Sequence, residues 1–175
     1  LEREIAQRAG LGWIGKNTNA ITTTQGSHFV IGELIIDTEL EYDTPTLKDY
    51  CGSCTRCMDA CPTGAITQPR EVDATKCISY WTIEYRGAFN EETPDNFGNY
   101  IFGCDICQQV CPWNKKARPH NEPGFNPHPD LLSLTAPQWQ NLSEEHFREI
   151  FRKSAVKRTK YSGLMRNINH LYGKA

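Results

Sequence analysis

The spacing of the eight cysteines constrains the fold of this chain more than any other feature of its sequence. The first cysteine run is Cys51-x-x-Cys54-x-x-Cys57-x-x-x-Cys61-Pro62. In two-cluster iron–sulfur proteins, three cysteines at this spacing bind one 4Fe-4S cluster and the fourth binds the other cluster. Pro62 fixes φ and turns the chain away from the first cluster, so that Cys61 points away from the cluster that the first three cysteines bind. The run therefore predicts a loop wrapped around a 4Fe-4S cluster.

The second cysteine run is incomplete. It reads Cys104-x-x-Cys107-x-x-x-Cys111-Pro, so it has the last three ligands of the pattern and lacks the first. Cys77 is the one cysteine outside both runs, and we predict that it supplies the missing ligand. The crossed pattern then assigns Cys51, Cys54, Cys57 and Cys111 to the first cluster, and Cys61, Cys77, Cys104 and Cys107 to the second.

Other uses of these cysteines fit the sequence less well. Zinc sites normally use two separated C-x-x-C pairs, so a third cysteine three residues further on is superfluous for tetrahedral closure. Disulfide frameworks are typical of small secreted domains, and the start of the chain lacks the charged and apolar regions of a signal peptide. No run approaches about eighteen apolar residues, so we predict a cytoplasmic protein without a membrane span. A buried free thiol at Cys77 would leave one iron short of a ligand.

Before the first cysteine run, the sequence predicts a helix, a turn-rich stretch and a strand. Leu1, Ile5 and Ala9 lie on one helical stripe, and Gly10 stands where a C-terminal cap belongs. Residues 28–36, HFVIGELII, are predicted to form a buried strand.

The glycines between these elements match two nucleotide-binding patterns only formally. Gly10-x-Gly12-x-x-Gly15 follows a helix rather than a strand, so a glycine-rich structural turn explains it as well as a dinucleotide site does. Gly15-Lys16-Asn17 is not a P-loop, because Asn17 replaces the Ser or Thr that would hold magnesium.

One helix is predicted between the two cysteine runs, and three more are predicted after the second run. The first begins at its N-cap Asp73, extends to Arg86 and is stopped by Gly87; its apolar face comprises Ile78, Trp81, Thr82 and Tyr85. Residues 115–130 are rich in Pro, Asn and His and predict an extended linker. Beyond the linker, helices are predicted to start after the N-caps Thr135 and Ser143, and a third contains Leu164, Ile168 and Leu171. We interpret His120, His128, His146 and His170 as structural or surface residues.

Three parts of the sequence together resemble one protein family. They are LEREIAQRAGLGWIGKN with GSHFVIGELI (residues 1–35), CISYWTIEYRG (77–87) with FGCDICQQVCPWN (102–114), and SAVKRTKYSGLMRN (154–167). The combination resembles the epoxyqueuosine reductases, cobalamin-dependent iron–sulfur enzymes of queuosine biosynthesis. The resemblance implies that electrons pass singly through two 4Fe-4S clusters to cobalamin, which reduces epoxyqueuosine to queuosine at the wobble position of tRNA.

The cysteine pattern and the resemblance together imply an α+β fold in three parts. Residues 1–48 are expected to form the C-terminal part of an α/β cobalamin-binding domain, and residues 49–116 a bacterial-ferredoxin-like domain with two clusters. Residues 117–175 are expected to form a linker and a basic, HEAT-like helical region. The family has a further N-terminal region that supplies an acidic proton donor, so no catalytic residue is assigned here. Since the chain has no initial Met and begins within a predicted helix, we expect an internal or C-terminal part of a longer protein.

The resemblance also implies which residues lie against the corrin. They are Gly15, Lys16, Asn17, Ser27, His28, Ser79 and Asp105. For His28 the alternative is a packed residue at the edge of a strand, and for Lys16 it is simple solvation.

A basic patch in the C-terminal segment, which includes Arg166, predicts contact with tRNA. The formal charge of the chain is −2, and two clusters add about −4, so RNA contact requires segregated basic residues. The predicted tRNA-binding residues are Tyr85, Arg86, Lys115, Lys116, Lys153, Lys157, Arg158 and Lys160. The alternative is a solvated cationic helix end.

Two other functions remain open at this point. The first is a stand-alone ferredoxin that carries electrons to a separate enzyme and binds neither corrin nor RNA. The second is a corrinoid enzyme related to the reductive dehalogenases, which predicts export and no basic tail. The leading interpretation is a monomeric oxidoreductase whose partners are tRNA and an external electron donor of the flavodoxin or ferredoxin type.

Overall fold

The computed structural model describes residues 2–42, 45 and 48–173, and its helices and strands are short. The α-helices are α1 Glu2–Arg8, α2 Arg56–Asp59, α3 Ile106–Gln109, α4 Ala136–Gln140, α5 Glu144–Ile150 and α6 Lys160–Tyr172. The strands are β1 Trp13–Ile14, β2 Ala20–Ile21, β3 Ile66–Gln68 and β4 Glu71–Val72, which pair as two antiparallel hairpins, β1–β2 and β3–β4. Turns of 3-10 helix cover Ala74–Lys76, Pro112–Lys116, Pro123–Phe125, Pro129–Leu132 and Ala155–Thr159. This mixture of helices and small sheets agrees with the α+β class.

The chain forms two compact units, and each unit takes two segments of the sequence. The first unit comprises Leu1–Asp73 and Asp105–Pro119, and the second comprises Ala74–Cys104 and His120–Ala175. The three contiguous parts expected from the sequence, with boundaries after residues 48 and 116, stay a prediction.

Helix α1 ends as the sequence predicts. Gly10 has a φ of 74°, and the amide of Leu11 donates to the carbonyl of Ala6 at 3.0 Å. Glycine suits this left-handed cap because it has no Cβ to meet the preceding carbonyl.

The predicted apolar face of α1 is wrong. Ile5 is 46% exposed, Ala9 is also exposed, and Ala6 is buried; Leu1 lies outside the described residues. Helix α1 contacts the β1–β2 hairpin, and Ala6 is its buried residue. Because one residue corresponds to about 100° of rotation, a shift of one position replaces the whole face.

The glycine-rich stretch, for which only turns were predicted, contains the β1–β2 hairpin. Trp13 pairs with Ile21 and Ile14 pairs with Ala20. Trp13 and Ile21 are both buried, so this hairpin forms an apolar centre in the first unit.

The predicted buried strand at residues 28–36 is wrong. These residues have no regular secondary structure, and the exposed fractions are 80% for Val30, 93% for Leu34 and 102% for Ile35. An apolar run becomes a strand only where another strand satisfies its backbone groups and covers its side chains. Among the described residues, no strand pairs with this segment.

The second unit is built around α5 and α6, and its helix starts follow the predicted caps. Thr135 and Gln138 form a capping box at α4, and the Ser143 hydroxyl accepts from the His146 amide at 3.1 Å. The core of this unit comprises Leu142, Phe147, Ile150, Phe151, Leu164 and Ile168. The predicted third helix is α6, in which Leu164 and Ile168 are fully buried.

The predicted Asp73–Arg86 helix is replaced by a 3-10 turn and a π-helix at Tyr80–Glu84. The predicted inner face is correct for Ile78, Trp81 and Thr82, which are buried at 2%, 2% and 0% exposure. The Thr82 hydroxyl donates to the Ile78 carbonyl at 2.7 Å. A single π turn of this kind occurs frequently beside functional residues, and here it begins three residues after Cys77.

Helix α6 has 13 residues, whereas a membrane span needs about 20. No helix in the part of the chain that the structure describes is both long and apolar enough to cross a bilayer.

Candidate iron–sulfur centre

Four cysteines of the first unit line one cavity. They are Cys51, Cys54, Cys57 and Cys111, the set that the crossed pattern assigns to the first cluster. The cavity is partly open to solvent, and each of the four is a thiol outside any disulfide. The structure thus brings together residues from both cysteine runs.

Two short helices position these thiols. The amide of Cys54 donates to the Cys51 carbonyl at 3.0 Å, which closes a turn, and Cys57 lies on α2. Cys111 follows α3 and precedes Pro112, whose backbone starts a 3-10 turn. Because α2 contacts α3, the end of the second run faces the loop of the first.

The electrostatics of the cavity suit a cationic core. Burial raises the pKa of the thiols of Cys57 and Cys111, although backbone amides partly oppose this effect. Neighbouring thiolates raise both values further: Cys51 and Cys111 act on Cys57, and Cys51 and Cys54 act on Cys111. A bound iron core reverses this repulsion because its positive charge stabilises the thiolate form.

The cysteine spacing in the sequence favours a cluster over zinc, because zinc sites normally use two separated C-x-x-C pairs. Four soft thiolate ligands taken from both cysteine runs match an iron–sulfur cluster.

Two of the remaining cysteines belong to the first unit. The Cys61 sulfur accepts from the Ala65 amide at 3.2 Å. Burial acts to raise the pKa of Cys61, but hydrogen bonds from Thr63 and from neighbouring amides outweigh burial, and the pKa is lowered. Cys107 lies on α3, and its carbonyl accepts from Asn17 Nδ2 at 3.3 Å.

The other two cysteines, Cys77 and Cys104, belong to the second unit. The Gly103 amide donates to the Thr82 hydroxyl at 3.0 Å, which fixes the segment before Cys104 against the π-helix that follows Cys77. The Ser79 hydroxyl donates to the Cys104 carbonyl at 3.5 Å. Joint binding of a cluster by Cys61, Cys77, Cys104 and Cys107 stays a prediction from the sequence.

The residues predicted to contact the corrin mostly have protein partners. The Lys16 ammonium donates to the Gly52 carbonyl at 2.7 Å, and Asn17 is 4% exposed and accepts from the Asn19 amide through Oδ1. At Gly15, an added Cβ would collide with the side chain of Ile21, so glycine is required by packing.

Ser27, His28 and Asp105 complete the predicted corrin residues of the first unit. The Ser27 hydroxyl donates to Gln108 Oε1 at 2.9 Å, and the Ser27 amide donates to Asn114 Oδ1 at 2.6 Å. His28 and Asp105 are exposed, and Asp105 accepts from the Gln108 side chain at 2.7 Å. The contacts of Asn17, Ser27 and Asp105 brace α3.

The predicted tRNA-binding residues of the second unit are mostly exposed. Lys153, Lys157, Lys160 and Arg86 face solvent, and Arg158 forms an ion pair with Glu84 at 2.8 Å. Tyr85 is half-buried, with its ring 4.4 Å from that of Trp81. In the first unit, Lys115 is exposed and the Lys116 ammonium lies 4.3 Å from the centre of the Trp113 ring.

Arg166 does not belong to an exposed basic patch. Its guanidinium donates to the carbonyls of Trp81 at 2.8 Å, Tyr85 at 2.9 Å and Gly87 at 2.7 Å, and it lies 4.2 Å from the centre of the Phe89 ring. Burial lowers its pKa. Arg166 therefore anchors the end of the π-helix, and the sequence prediction for it is wrong.

Residue-by-residue reading of the sequence missed three functional candidates around the first cavity. Trp13 donates through Nε1 to the Cys51 sulfur at 3.4 Å, and its ring contacts Tyr50 and Trp113 at centroid distances of 5.0 and 5.1 Å. The available signal was the position of Tyr50 directly before Cys51 and of Trp113 two residues after Cys111.

A family model for a 4Fe-4S double cluster binding domain matches residues 50–114. Over 171 residues, which are 98% of this chain and 56% of the relative, the chain is 54% identical to an epoxyqueuosine reductase from Cellulophaga algicola. It is 44% identical to an epoxyqueuosine reductase from Escherichia coli over 100% of this chain and 46% of the relative.

Solved structures agree with these sequence comparisons. A crystal structure of epoxyqueuosine reductase with an epoxyqueuosine-modified tRNA stem loop matches at a TM-score of 0.88 and 35% identity. The match covers 97% of this chain and 45% of that one. An epoxyqueuosine reductase from Streptococcus thermophilus matches at a TM-score of 0.81 and 34% identity, covering 97% and 44%. The chain therefore spans about half the length of the relatives it matches.

Proposed function

Because the chain is homologous to the epoxyqueuosine reductases over nearly its whole length, we propose that it provides the iron–sulfur part of an enzyme that reduces epoxyqueuosine to queuosine in tRNA. The resemblance expected from the sequence is thus confirmed, and with it the presence of a double 4Fe-4S domain. The reaction, its substrate and its partners are proposed from relatives that are about twice as long.

One observation supports this proposal above all others. Cys51, Cys54 and Cys57 share a cavity with Cys111, a residue of the other cysteine run. A single-cluster or zinc site built from one run would not need Cys111 there. The crossed arrangement is the one that two-cluster ferredoxin domains use.

We propose that two 4Fe-4S clusters pass single electrons toward the reacting centre. Cys51, Cys54, Cys57 and Cys111 hold the first cluster, and Cys61, Cys77, Cys104 and Cys107 hold the second. The half-buried thiols limit the access of water to the first cluster. Its potential is then set by ligand charge, by hydrogen bonds to sulfur and by exposure.

Cobalamin, an external electron donor of the flavodoxin or ferredoxin type and a cytoplasmic, monomeric enzyme are further parts of the proposal. Cobalamin would supply a low-valent cobalt centre for the reduction. We propose that His28 and Ser79 contribute to a corrin pocket that is completed by the part of the relatives outside the matched region. We likewise propose that α4–α6 form part of a HEAT-like helical region.

For tRNA, the exposed Lys153, Lys157 and Lys160 support the proposal. Lysines on a solvent-facing surface neutralise phosphates and give salt-dependent affinity. A stem loop that carries epoxyqueuosine is bound to one of the solved relatives.

The experiment is anaerobic reconstitution of the chain followed by analysis of iron, sulfide and zinc. Two clusters require about eight iron and eight sulfide per chain. Zinc, or iron for one cluster only, would contradict the proposal. The reconstituted chain is then titrated with an anticodon stem loop containing epoxyqueuosine, with an unmodified loop as the control, and separately with cobalamin.

A stand-alone electron carrier is the second candidate, because Lys16, Asn17 and Ser27 use their polar groups within the protein rather than offering them to a ligand. A carrier would hold both clusters and leave RNA and cobalamin unbound. The relatives named above favour the reductase over a dehalogenase-like enzyme.

A further inference from the structure

Trp13 places a hydrogen-bond donor on a sulfur of the first cluster site. It is 2% exposed, and its Nε1 lies 3.4 Å from the Cys51 sulfur. An indole N–H can only donate, and a buried one needs an acceptor. We propose that Trp13 donates to the Cys51 thiolate in the loaded protein and thereby raises the reduction potential of the first cluster. This inference rests on the proposed two-cluster function.

The donor is held in place by its neighbours. Trp13 belongs to β1 and pairs with Ile21, which is 1% exposed. Its ring packs against Tyr50, with a centroid distance of 5.0 Å and an interplanar angle of 55°, and against Trp113, with 5.1 Å and 76°. Tyr50 and Trp113 also contact each other at 5.6 Å. Three mutually packed rings leave the indole little freedom to rotate away from the sulfur.

The acceptor is tied to the same strand. The Cys51 amide donates to Asp49 Oδ1 at 2.8 Å, and the other oxygen of Asp49 forms an ion pair with Arg70. Arg70 in turn donates through Nε to the Ile14 carbonyl at 3.1 Å, on the residue after Trp13. Arg70, through Asp49, therefore links the strand of the donor to the loop of the acceptor.

A hydrogen bond at this position acts on the redox equilibrium because the two oxidation states differ in charge. With four thiolates, the cluster carries about −2 when oxidised and about −3 after one electron is added. An N–H dipole aimed at sulfur stabilises the more negative state more strongly, and low local polarity increases this difference. Removal of the N–H must therefore make the first cluster harder to reduce.

The test compares two matched variants of the full, cluster-loaded chain. Trp13→Phe retains an aromatic ring but loses the N–H. Trp113→Phe makes the same change in the same aromatic cluster, where Nε1 donates to the Tyr50 carbonyl at 3.4 Å instead of to sulfur. Midpoint potentials of both clusters are measured by redox titration with electron paramagnetic resonance of the reduced clusters.

We expect Trp13→Phe to move one of the two midpoints to a more negative value while the other stays. The expected change is up to about tenfold in the reduction equilibrium, and tenfold corresponds to about 59 mV for one electron. Trp113→Phe keeps the N–H donor on Cys51 and should shift the first midpoint by clearly less. Unchanged midpoints in Trp13→Phe, or an equal shift in Trp113→Phe, would overturn the inference.

A second measurement decides the case if Trp13→Phe fails to retain the cluster. In the unsubstituted chain with ¹⁵N-labelled tryptophan, pulsed electron paramagnetic resonance of the reduced protein should show an indole nitrogen and an exchangeable proton coupled to one cluster. Absence of both couplings would refute the hydrogen bond. Failure of the unsubstituted chain to bind iron would instead refute the proposed function, and the inference with it.

Discussion

Replacement of Asn167 by leucine should destabilise the second unit by about 3 kcal/mol. Asn167 is fully buried, and its Nδ2 donates to the carbonyls of Thr82 and Ile101, both at 2.9 Å. Each buried acceptor that loses its donor costs about 1–3 kcal/mol, so two cost about 4 kcal/mol. Arg166 also loses the acceptor that Oδ1 provides at 2.9 Å, which adds about 1 kcal/mol. The apolar leucine side chain offsets about 2 kcal/mol of this total through burial.

The assay is urea unfolding of the cluster-loaded chain under anaerobic conditions, followed by far-ultraviolet circular dichroism. With a slope of about 2 kcal/mol per molar urea, the midpoint should fall by about 1.5 M. Asn169→Ala, an exposed change on the same helix, is the matched control and should stay near the unsubstituted midpoint. A fall of less than about 0.3 M in Asn167→Leu, or an equal fall in the control, would refute the reasoning.

Three further predictions concern the clusters, the RNA surface and the packing of the first unit. Cys77→Ala should remove close to half of the iron and sulfide, measured by elemental analysis; retention of both clusters would contradict the ligand assignment. Lys157→Glu combined with Arg158→Glu should weaken binding of a tRNA stem loop about tenfold or more at low salt, since two cations become anions. The visible spectrum should stay unchanged, and an unchanged RNA affinity would argue against the surface. Gly26→Ala should destabilise the first unit by about 1–3 kcal/mol in thermal unfolding. Its φ of 63° disfavours a Cβ, and the added Cβ would also meet the backbone of Asn114. Gly32→Ala is the control and should not destabilise the unit, because the space around Gly32 is open.

The local signals of the sequence were sufficient to predict three helix ends. Thr135 and Ser143 cap their helices as predicted, and Gly10 ends α1 in the left-handed conformation. Each of these depends on hydrogen bonds within a few residues, so the sequence window contains both partners. The π turn at Tyr80–Glu84 was not predictable in this way, because its apolar spacing resembles that of an ordinary helix over so few residues.

The strand predicted at residues 28–36 failed because its formation depends on a partner distant in the sequence. Its composition is right for a strand, but pairing depends on a second strand that periodicity in one segment does not reveal. Within the described residues Leu34 and Ile35 are exposed and no strand lies beside them.

In the candidate site, too, the parts that depend on local spacing were predictable and the parts that depend on tertiary contacts were not. The ligand set is predicted from spacing alone, because three cysteines at this spacing wrap one centre in two-cluster domains, and Cys111 lines the same cavity as the first three. What surrounds the sulfurs does not follow from spacing. Trp13 reaches Cys51 only because a two-residue hairpin and the Asp49–Arg70 pair fold against the cysteine loop. Sequence motifs therefore predict which cofactor can be bound, whereas the tertiary contacts that set its potential become visible only in the folded chain.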